Sequence, residues 1–230
     1  MVEIQKDLAA KIDNIVNLDD RISALEKERS IVQEQMLTYG IELHEKREKA
    51  IPKLKKQLEA YLKELGLPNA QFKFNLERSD NFRSSGLDTL ELLFTANKGL
   101  GLGLLKKVAS GGEMSRIMLA VKAVLARYKK LPTIIFDEID AGVSGEIANK
   151  MAVIMSEMSQ NMQLLTITHL AQIAAKGENH LKVYKEDVNE ITQTRLKNLV
   201  GDERIVEIAQ MISGNNVTDA ALANAKELLN

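Results

Sequence analysis

Cysteine is absent from the sequence, so no disulfide framework and no thiolate-based zinc or redox site is available to it. No run of about 18 or more apolar residues occurs, which excludes a membrane-spanning helix. The opening MVEIQKDLAAKID lacks the apolar stretch of a secretion signal. The expectation is a soluble protein of a reducing compartment. No charge sign dominates either: 31 Lys and Arg stand against 32 Asp and Glu, a net charge of -1. That balance supplies no overall electrostatic footprint for nucleic acid, although it leaves a local patch open. No internal repeat or low-complexity tract is found. What is present is ample apolar material, 45% of 230 residues, beside 27% charged residues. This is enough for one ordinary domain and something extended.

The extended part comes first. Ile4, Leu8, Ile15, Leu18, Ile22, Leu25, Val32, Met36, Tyr39 and Leu43 fall on three- and four-residue steps, interrupted only by Lys11 and Arg29. With charged residues on the other faces, this reads as a heptad seam over roughly six heptads. A helix packed on a globular core is the alternative. A second regular set, Ile51, Leu54, Leu58, Tyr61 and Leu65, is displaced by one residue from the first. Gly40 and Pro52 flank the change, so a joint is expected near residues 38–52. Gly66 and then Pro68 signal the end of the helix.

Beyond residue 70 the pattern is that of strands and helices in alternation. Gln71 to Leu76 alternates polar and apolar residues, and Glu91 to Thr95 is a second candidate strand. Continuous apolar strands are expected at 133–137, 163–167 and 180–184, with helices at 112–128 and 145–159. Such buried strands separated by helices indicate an α/β domain with a largely parallel sheet. Two closing helices, near 201–212 and 218–229, are separated by Gly214-Asn215-Asn216, with Thr218 as N-cap. Met151, Met155, Met158 and Met162 sit at helical spacing and read as core. His44 and His180 have no partner at ligand spacing and are assigned no role. The Lys53-Lys55-Lys56 and Lys129-Lys130 clusters read as solvated faces rather than DNA contacts.

Chemistry concentrates in four places. Thr133-Ile134-Ile135-Phe136 leads into the adjacent carboxylates Asp137 and Glu138. At a strand end two such side chains point apart, so one can face a metal and the other a reacting water. A helix cap with a solvated neighbour is the plainer reading. Ala109-Ser110-Gly111-Gly112-Glu113 enters an apolar-periodic helix, where backbone N–H groups can meet a phosphate. Ser110 and Glu113 also have capping-box spacing. Ile139-Asp140-Ala141-Gly142-Val143-Ser144-Gly145 follows the acid pair. The next strand ends Thr166-Ile167-Thr168-His169, on the same carboxyl edge of the sheet where α/β proteins bind ligands.

In this order, ASGGEMSRIMLAVKAVL, IIFDEIDAGVSG and THLAQIAA resemble the C-terminal lobe of an ABC ATPase head of the SMC-like group. More narrowly, they resemble the members that act in bacterial DNA double-strand-break repair and recombination. The resemblance covers nearly the whole chain and implies two parts. Residues 1–66 would be one helix of an antiparallel coiled-coil arm, and 67–230 the head lobe, a mostly parallel sheet with flanking helices. It implies Asp137 as the Walker B carboxylate organising Mg²⁺, Glu138 as the carboxylate for the attacking water and His169 as the switch histidine. Ser110, Gly111, Gly112 and Glu113 would form the signature, meeting the ATP γ-phosphate held by a second protomer. Asp140 would belong to the D-loop joining the two sites. DNA as a partner and a cytoplasmic, nucleoid-associated location follow from the resemblance alone.

One element of such a site is missing. No GxxxxGK followed by Ser or Thr occurs, and Gly99-Leu100-Gly101-Leu102-Gly103-Leu104-Leu105-Lys106 fits neither that spacing nor GxGxxG. In the family the P-loop lies in an N-terminal half beyond the outgoing arm. The sequence is therefore expected to be a fragment that begins in the returning arm. Alone it is expected neither to bind ATP tightly nor to hydrolyse it. Two readings compete with the ATPase: a coiled-coil interaction module with idle motifs, and, less well supported, a transporter ATPase subunit.

Overall fold

A computed structural model describes residues 2–99, 101–143, 145–188, 191–214 and 216–230, without the side chains of residue 3, residues 7–17 and residue 188. Leu100, Ser144 and Asn215 lie outside the described residues, as do the side chains of Leu8, Lys11 and Ile15. In chain order the elements are α1 (Val2–Glu64), β1 (Gln71–Arg83), β2 (Gly86–Thr95), β3 (Gly103–Leu104), α2 (Leu105–Val108) and α3 (Gly111–Tyr128). There follow β4 (Thr133–Asp137), α4 (Gly145–Ser159), β5 (Gln163–Ile167), α5 (Ala171–Lys176), β6 (His180–Val188), β7 (Ile191–Leu199), α6 (Asp202–Ser213) and α7 (Asp219–Leu229). Two compact units divide the chain: Met1–Pro52 with Phe74–Glu91, and Lys53–Lys73 with Leu92–Asn230.

In the first unit α1 runs on through the span where the apolar pattern changes phase, with Pro52 inside it. Gly40 does not break the helix. A Cβ there would lie 2.5 Å from Leu87 Cδ1, so the glycine is the notch into which the buried Leu87 fits. His44 Nδ1 lies 2.7 Å from Asp88 Oδ1, and Arg47 donates at 2.6 Å to Asp88 Oδ2 and at 2.8 Å to the Ser85 carbonyl. These contacts fasten the β1–β2 turn to the middle of α1. Earlier on α1, Leu18, Ile22, Leu25, Val32, Met36 and Tyr39 are all exposed, so the seam has no covering partner among the described residues.

In the second unit the end of α1 is buried through Leu58, Leu62 and Leu65. Leu67 N–H bonds the Leu62 carbonyl at 2.8 Å and Gly66 N–H the Lys63 carbonyl at 3.3 Å. With Gly66 at φ 78°, this is a Schellman stop, closed by the buried Leu62 and Leu67 side chains. The core lies between α3, through Ile117, Leu119, Ala120 and Val124, the inner face of β4 (Ile134, Phe136) and α4. Met151, Met155, Met158 and Met162 are all buried, as core residues should be. Each contributes roughly 1.5–3 kcal/mol by leaving water. A further cluster joins α5, α6 and α7 through Ala171, Ala175, Ile208, Ala209, Ala221 and Ala225. Alanines at these contacts let the helices approach closely.

The expected parallel pairing holds for β4 and β5, in register from Thr133↔Gln163 to Asp137↔Ile167. It does not extend to residues 180–184. There β6 pairs with β7 antiparallel, from His180↔Leu199 to Val188↔Ile191. Nor are β4 and β5 buried on both faces. Thr133, Ile135 and Asp137 on β4, with Leu165 and Ile167 on β5, are exposed. Among the described residues the strands form three separate sheets: β1-β2-β3, the parallel pair β4-β5 and the antiparallel pair β6-β7.

Candidate functional site

The carboxyl end of β4 and β5 gathers the motif residues of the second unit. Asp137 closes β4, paired opposite Ile167, and Glu138 N–H bonds the Ile167 carbonyl at 3.2 Å. Both carboxylates are exposed. Glu138 has φ 47°, the only positive value at a non-glycine among the described residues. Left-handed backbone at a residue with a side chain costs about 1–3 kcal/mol and persists where the surroundings impose it. Here the turn that follows imposes it: Ala141 N–H bonds the Glu138 carbonyl and Val143 N–H the Asp140 carbonyl, both at 3.1 Å.

Asp140 is fully buried. Its Oδ2 accepts the Thr168 hydroxyl, and the same oxygen lies 3.7 Å from His169 Nδ1. The Thr168 oxygen in turn accepts Leu170 N–H at 3.0 Å. His169 is two-thirds exposed at 67% of its side chain, so its ring is open to a ligand. Asp140 Oδ1 has no hydrogen-bond partner among the described residues.

Ser110 is the N-cap of α3. Its side chain accepts Glu113 N–H at 3.4 Å and its own N–H donates to Glu113 Oε2 at 2.8 Å, the reciprocal capping box that their spacing allowed. Each side chain is thus engaged by the other residue's backbone N–H. Gly111 faces open space, whereas a Cβ on Gly112 would lie 3.5 Å from the Gly142 carbonyl oxygen. The two-glycine start of α3 therefore rests against the loop that carries Asp140. Arg116, one turn on, donates to the Gly112 carbonyl at 3.1 Å and to the Leu65 carbonyl at 3.0 Å. It ties the stop of α1 to the start of α3.

An open depression of about 670 Å³ runs beside β4, lined by Gly111, Met114, Ser115, Met118, Lys122 and the strand itself through Glu138. A larger one, about 1260 Å³, lies at the opposite strand ends, around Tyr61, Arg127, Lys130, Pro132 and Met162. Size does not make it the candidate, because the motif residues and the carboxyl ends of the strands are at the smaller one.

Sequence reading placed Asp137, Glu138 and His169 on one strand edge; the structure adds Asp140 and Gly112 close by, together with Thr168 and Arg116, which the sequence reading missed. A hydroxyl directly before the strand-end histidine was the available signal for Thr168. For Arg116 there was none, since its partners are main-chain carbonyls distant in sequence. His44 was passed over too. Its i,i+3 spacing to Arg47 on one helix face was the hint of a shared acidic partner.

A Mg²⁺ site fits these residues only as part of a shared one. No group of three or more His, Cys, Asp or Glu that could hold a metal occurs among the described residues. Yet an exposed strand-end carboxylate suits Mg²⁺, which takes one or two carboxylates and fills its shell with water and phosphate oxygens.

A long helix leading into this mixed α/β lobe, with its motifs on one sheet edge, is the fold of an SMC-type ATPase head. The Smc head with extended coiled coil from Pyrococcus furiosus, solved bound to the C-terminal domain of ScpA, matches 86% of this chain and 47% of its own, at TM-score 0.56 and 19% identity. An SMC ATPase studied for ATP-driven dimerization and DNA-stimulated activation matches 75% of this chain and 99% of its own, at TM-score 0.51 and 18% identity. Identities this low speak for the fold alone.

Sequence comparison is more specific. The DNA repair protein RecN of Deinococcus radiodurans is 38% identical over 229 residues, and that of Bacillus subtilis 34% over 244, each matched along 100% of this chain. Along its whole length the chain is similar to RecN DNA repair proteins. It spans about two fifths of their length, 40% and 42% respectively, consistent with a C-terminal part. No protein-family model matches it.

Proposed function

We propose that this chain is the C-terminal part of an ATP-hydrolysing DNA-repair protein and contributes one share of a composite ATP site. Residues 1–66 would be one helix of a coiled-coil arm and 67–230 a head lobe. The carrying observation is the meeting of three motifs on one edge: Gly112 against the Ala141–Gly142 carbonyls, Asp140 beside His169, and Asp137-Glu138 at the end of β4. The apolar sheet face left open at Ile135, Leu165 and Ile167 supports the same reading. It calls for a covering layer, and the P-loop half of the same protein is the occupant we assign.

In this reading Asp137 holds Mg²⁺, which when bound neutralises phosphate charge. Glu138, turned outward by its positive φ, positions and deprotonates the attacking water. His169 contacts the γ-phosphate from the neighbouring strand. Ser110, Gly111 and Gly112 present backbone N–H groups and a hydroxyl to nucleotide held by a second protomer, while Glu113 braces that turn through the capping box. Asp140 and its loop connect the two sites. The partners are thus the P-loop half, a second head and DNA, in the bacterial cytoplasm on the nucleoid. Among the described residues no helix is long and apolar enough to cross a membrane.

The test is Mg²⁺-dependent ATP hydrolysis by this chain, alone and mixed with a RecN P-loop half. Hydrolysis is expected only in the mixture and is expected to vanish with Glu138→Gln. Stoichiometric binding and turnover by the chain alone would contradict the shared-site reading. Association of the halves without hydrolysis would instead favour a coiled-coil interaction module, the reading consistent with the missing P-loop spacing.

A further inference from the structure

We infer that Asp140 is a positioning residue for His169, holding the imidazole with Nδ1 turned inward to the carboxylate and Nε2 facing out of the lobe. The inference rests on the role proposed above for His169 and goes beyond it by identifying what orients the ring. The carboxylate is fully buried, and its Oδ2 is shared between the Thr168 hydroxyl and the approach of His169 Nδ1 at 3.7 Å. A carboxylate only accepts, so the Thr168 proton goes to Asp140 Oδ2, while the Thr168 oxygen receives Leu170 N–H. The hydroxyl thereby fixes the carboxylate's rotation, and the turn bonds from Ala141 and Val143 fix its backbone.

A distance of 3.7 Å is too long for a hydrogen bond, but a small rotation of the exposed ring closes it. The carboxylate favours that closure. The carboxylate is removed from water, and Oδ2 keeps a second acceptor site beside the Thr168 hydroxyl, so a further donor there is favoured. Where one ring nitrogen is held by a carboxylate, the other is committed to the outward direction, as in metal and acid–base sites of many folds. The nitrogen left facing out is Nε2, on the strand edge where the other motif residues gather. Because the same loop supports Gly112, a displacement at the start of α3 reaches His169 through Asp140 and Thr168.

Long-range nitrogen-15 spectra of the imidazoles test this on the chain as it stands. It has three histidines, and His169→Gln assigns the signal. The neutral His169 ring is expected mainly as the Nδ1–H tautomer, the minor form of a free imidazole side chain. Asp140→Ala should return it to Nε2–H. Thr168→Val should move it the same way, while Thr168→Ser keeps the original spectrum. A ring already carrying Nε2–H and unchanged by these substitutions would overturn the inference. If Asp140→Ala does not fold, the Val and Ser pair decides by the same signal. In the joined halves, Thr168→Val should lower kcat by about tenfold or more with KM for ATP unchanged, and Ser should restore it. The spectra require no nucleotide. Spectra as expected with no hydrolysis by the joined halves would therefore refute the ATPase reading and leave the positioning role standing.

Discussion

Glu138 carries the backbone strain of the site, and its φ of 47° can be tested apart from any chemistry. Glycine relieves about 1–2 kcal/mol of left-handed strain but costs roughly 0.5–1 kcal/mol in unfolded-chain entropy, so Glu138→Gly is expected to be neutral or slightly stabilising. Glu138→Val keeps the strain and adds branching at Cβ, and should destabilise by more than about 1 kcal/mol. Urea unfolding of the three proteins gives the order, and a Val variant as stable as wild type would contradict it. Asp88 makes the second residue-scale prediction. Burial alone pushes its carboxyl up, but the hydrogen bonds and charges of Arg47 and His44 outweigh that and hold it below the usual 3.8. The unfolded chain therefore takes up this proton more readily than the folded one. The contribution of Asp88 is complete above about pH 4 and is lost as pH falls through the lowered folded value. Thermal melts of the wild type should drop more steeply in that acid range than those of Asp88→Asn, which has no proton to gain. Equal slopes would show that the His44–Asp88–Arg47 cluster does not stabilise the fold electrostatically.

At the scale of elements, helix ends were the most legible feature. Ser110 and Thr218 are the N-caps of α3 and α7, and Gly66 is the stop of α1, because each uses local chemistry that two or three neighbouring residues complete. Ser110→Ala should cost about 1 kcal/mol by removing one reciprocal capping bond, read as a shift in the denaturation midpoint. Pro52 offers the opposite case. It lies inside α1, where its missing N–H and its ring oppose the helix, so Pro52→Ala should raise stability by about 1 kcal/mol or more unless a bend there is needed. A drop in helical content on that substitution would sink the argument. Strands were read less evenly. β4 and β5 were evident from their apolar runs, but β7, Ile191–Leu199, was missed because its side chains are almost all exposed. Only its register with β6 makes it a strand. The same pairing explains why residues 180–184 form a hairpin and not a third parallel strand.

For the whole molecule the governing fact is apolar surface with no cover among the described residues. On α1 it is the heptad seam through Leu18, Ile22 and Leu25, and on the β4–β5 face it is Ile135, Leu165 and Ile167. Sedimentation should show concentration-dependent self-association of the chain, reduced when Leu18, Ile22 and Leu25 are replaced by Gln. A monomer at all concentrations would contradict this. The sequence by itself determined the long helix and its end, the parallel pair, the capped helix α3 and the gathering of Asp137, Glu138 and His169 at one edge. All of these follow from periodicity and from chemistry between near neighbours. Only the tertiary structure decided that Gly40 is a notch for Leu87, that Arg116 joins the stop of α1 to Gly112, and that Asp140 is buried against Thr168 beside His169. Those contacts span tens of residues, and what selects them is the packing of surfaces that no local pattern brings together.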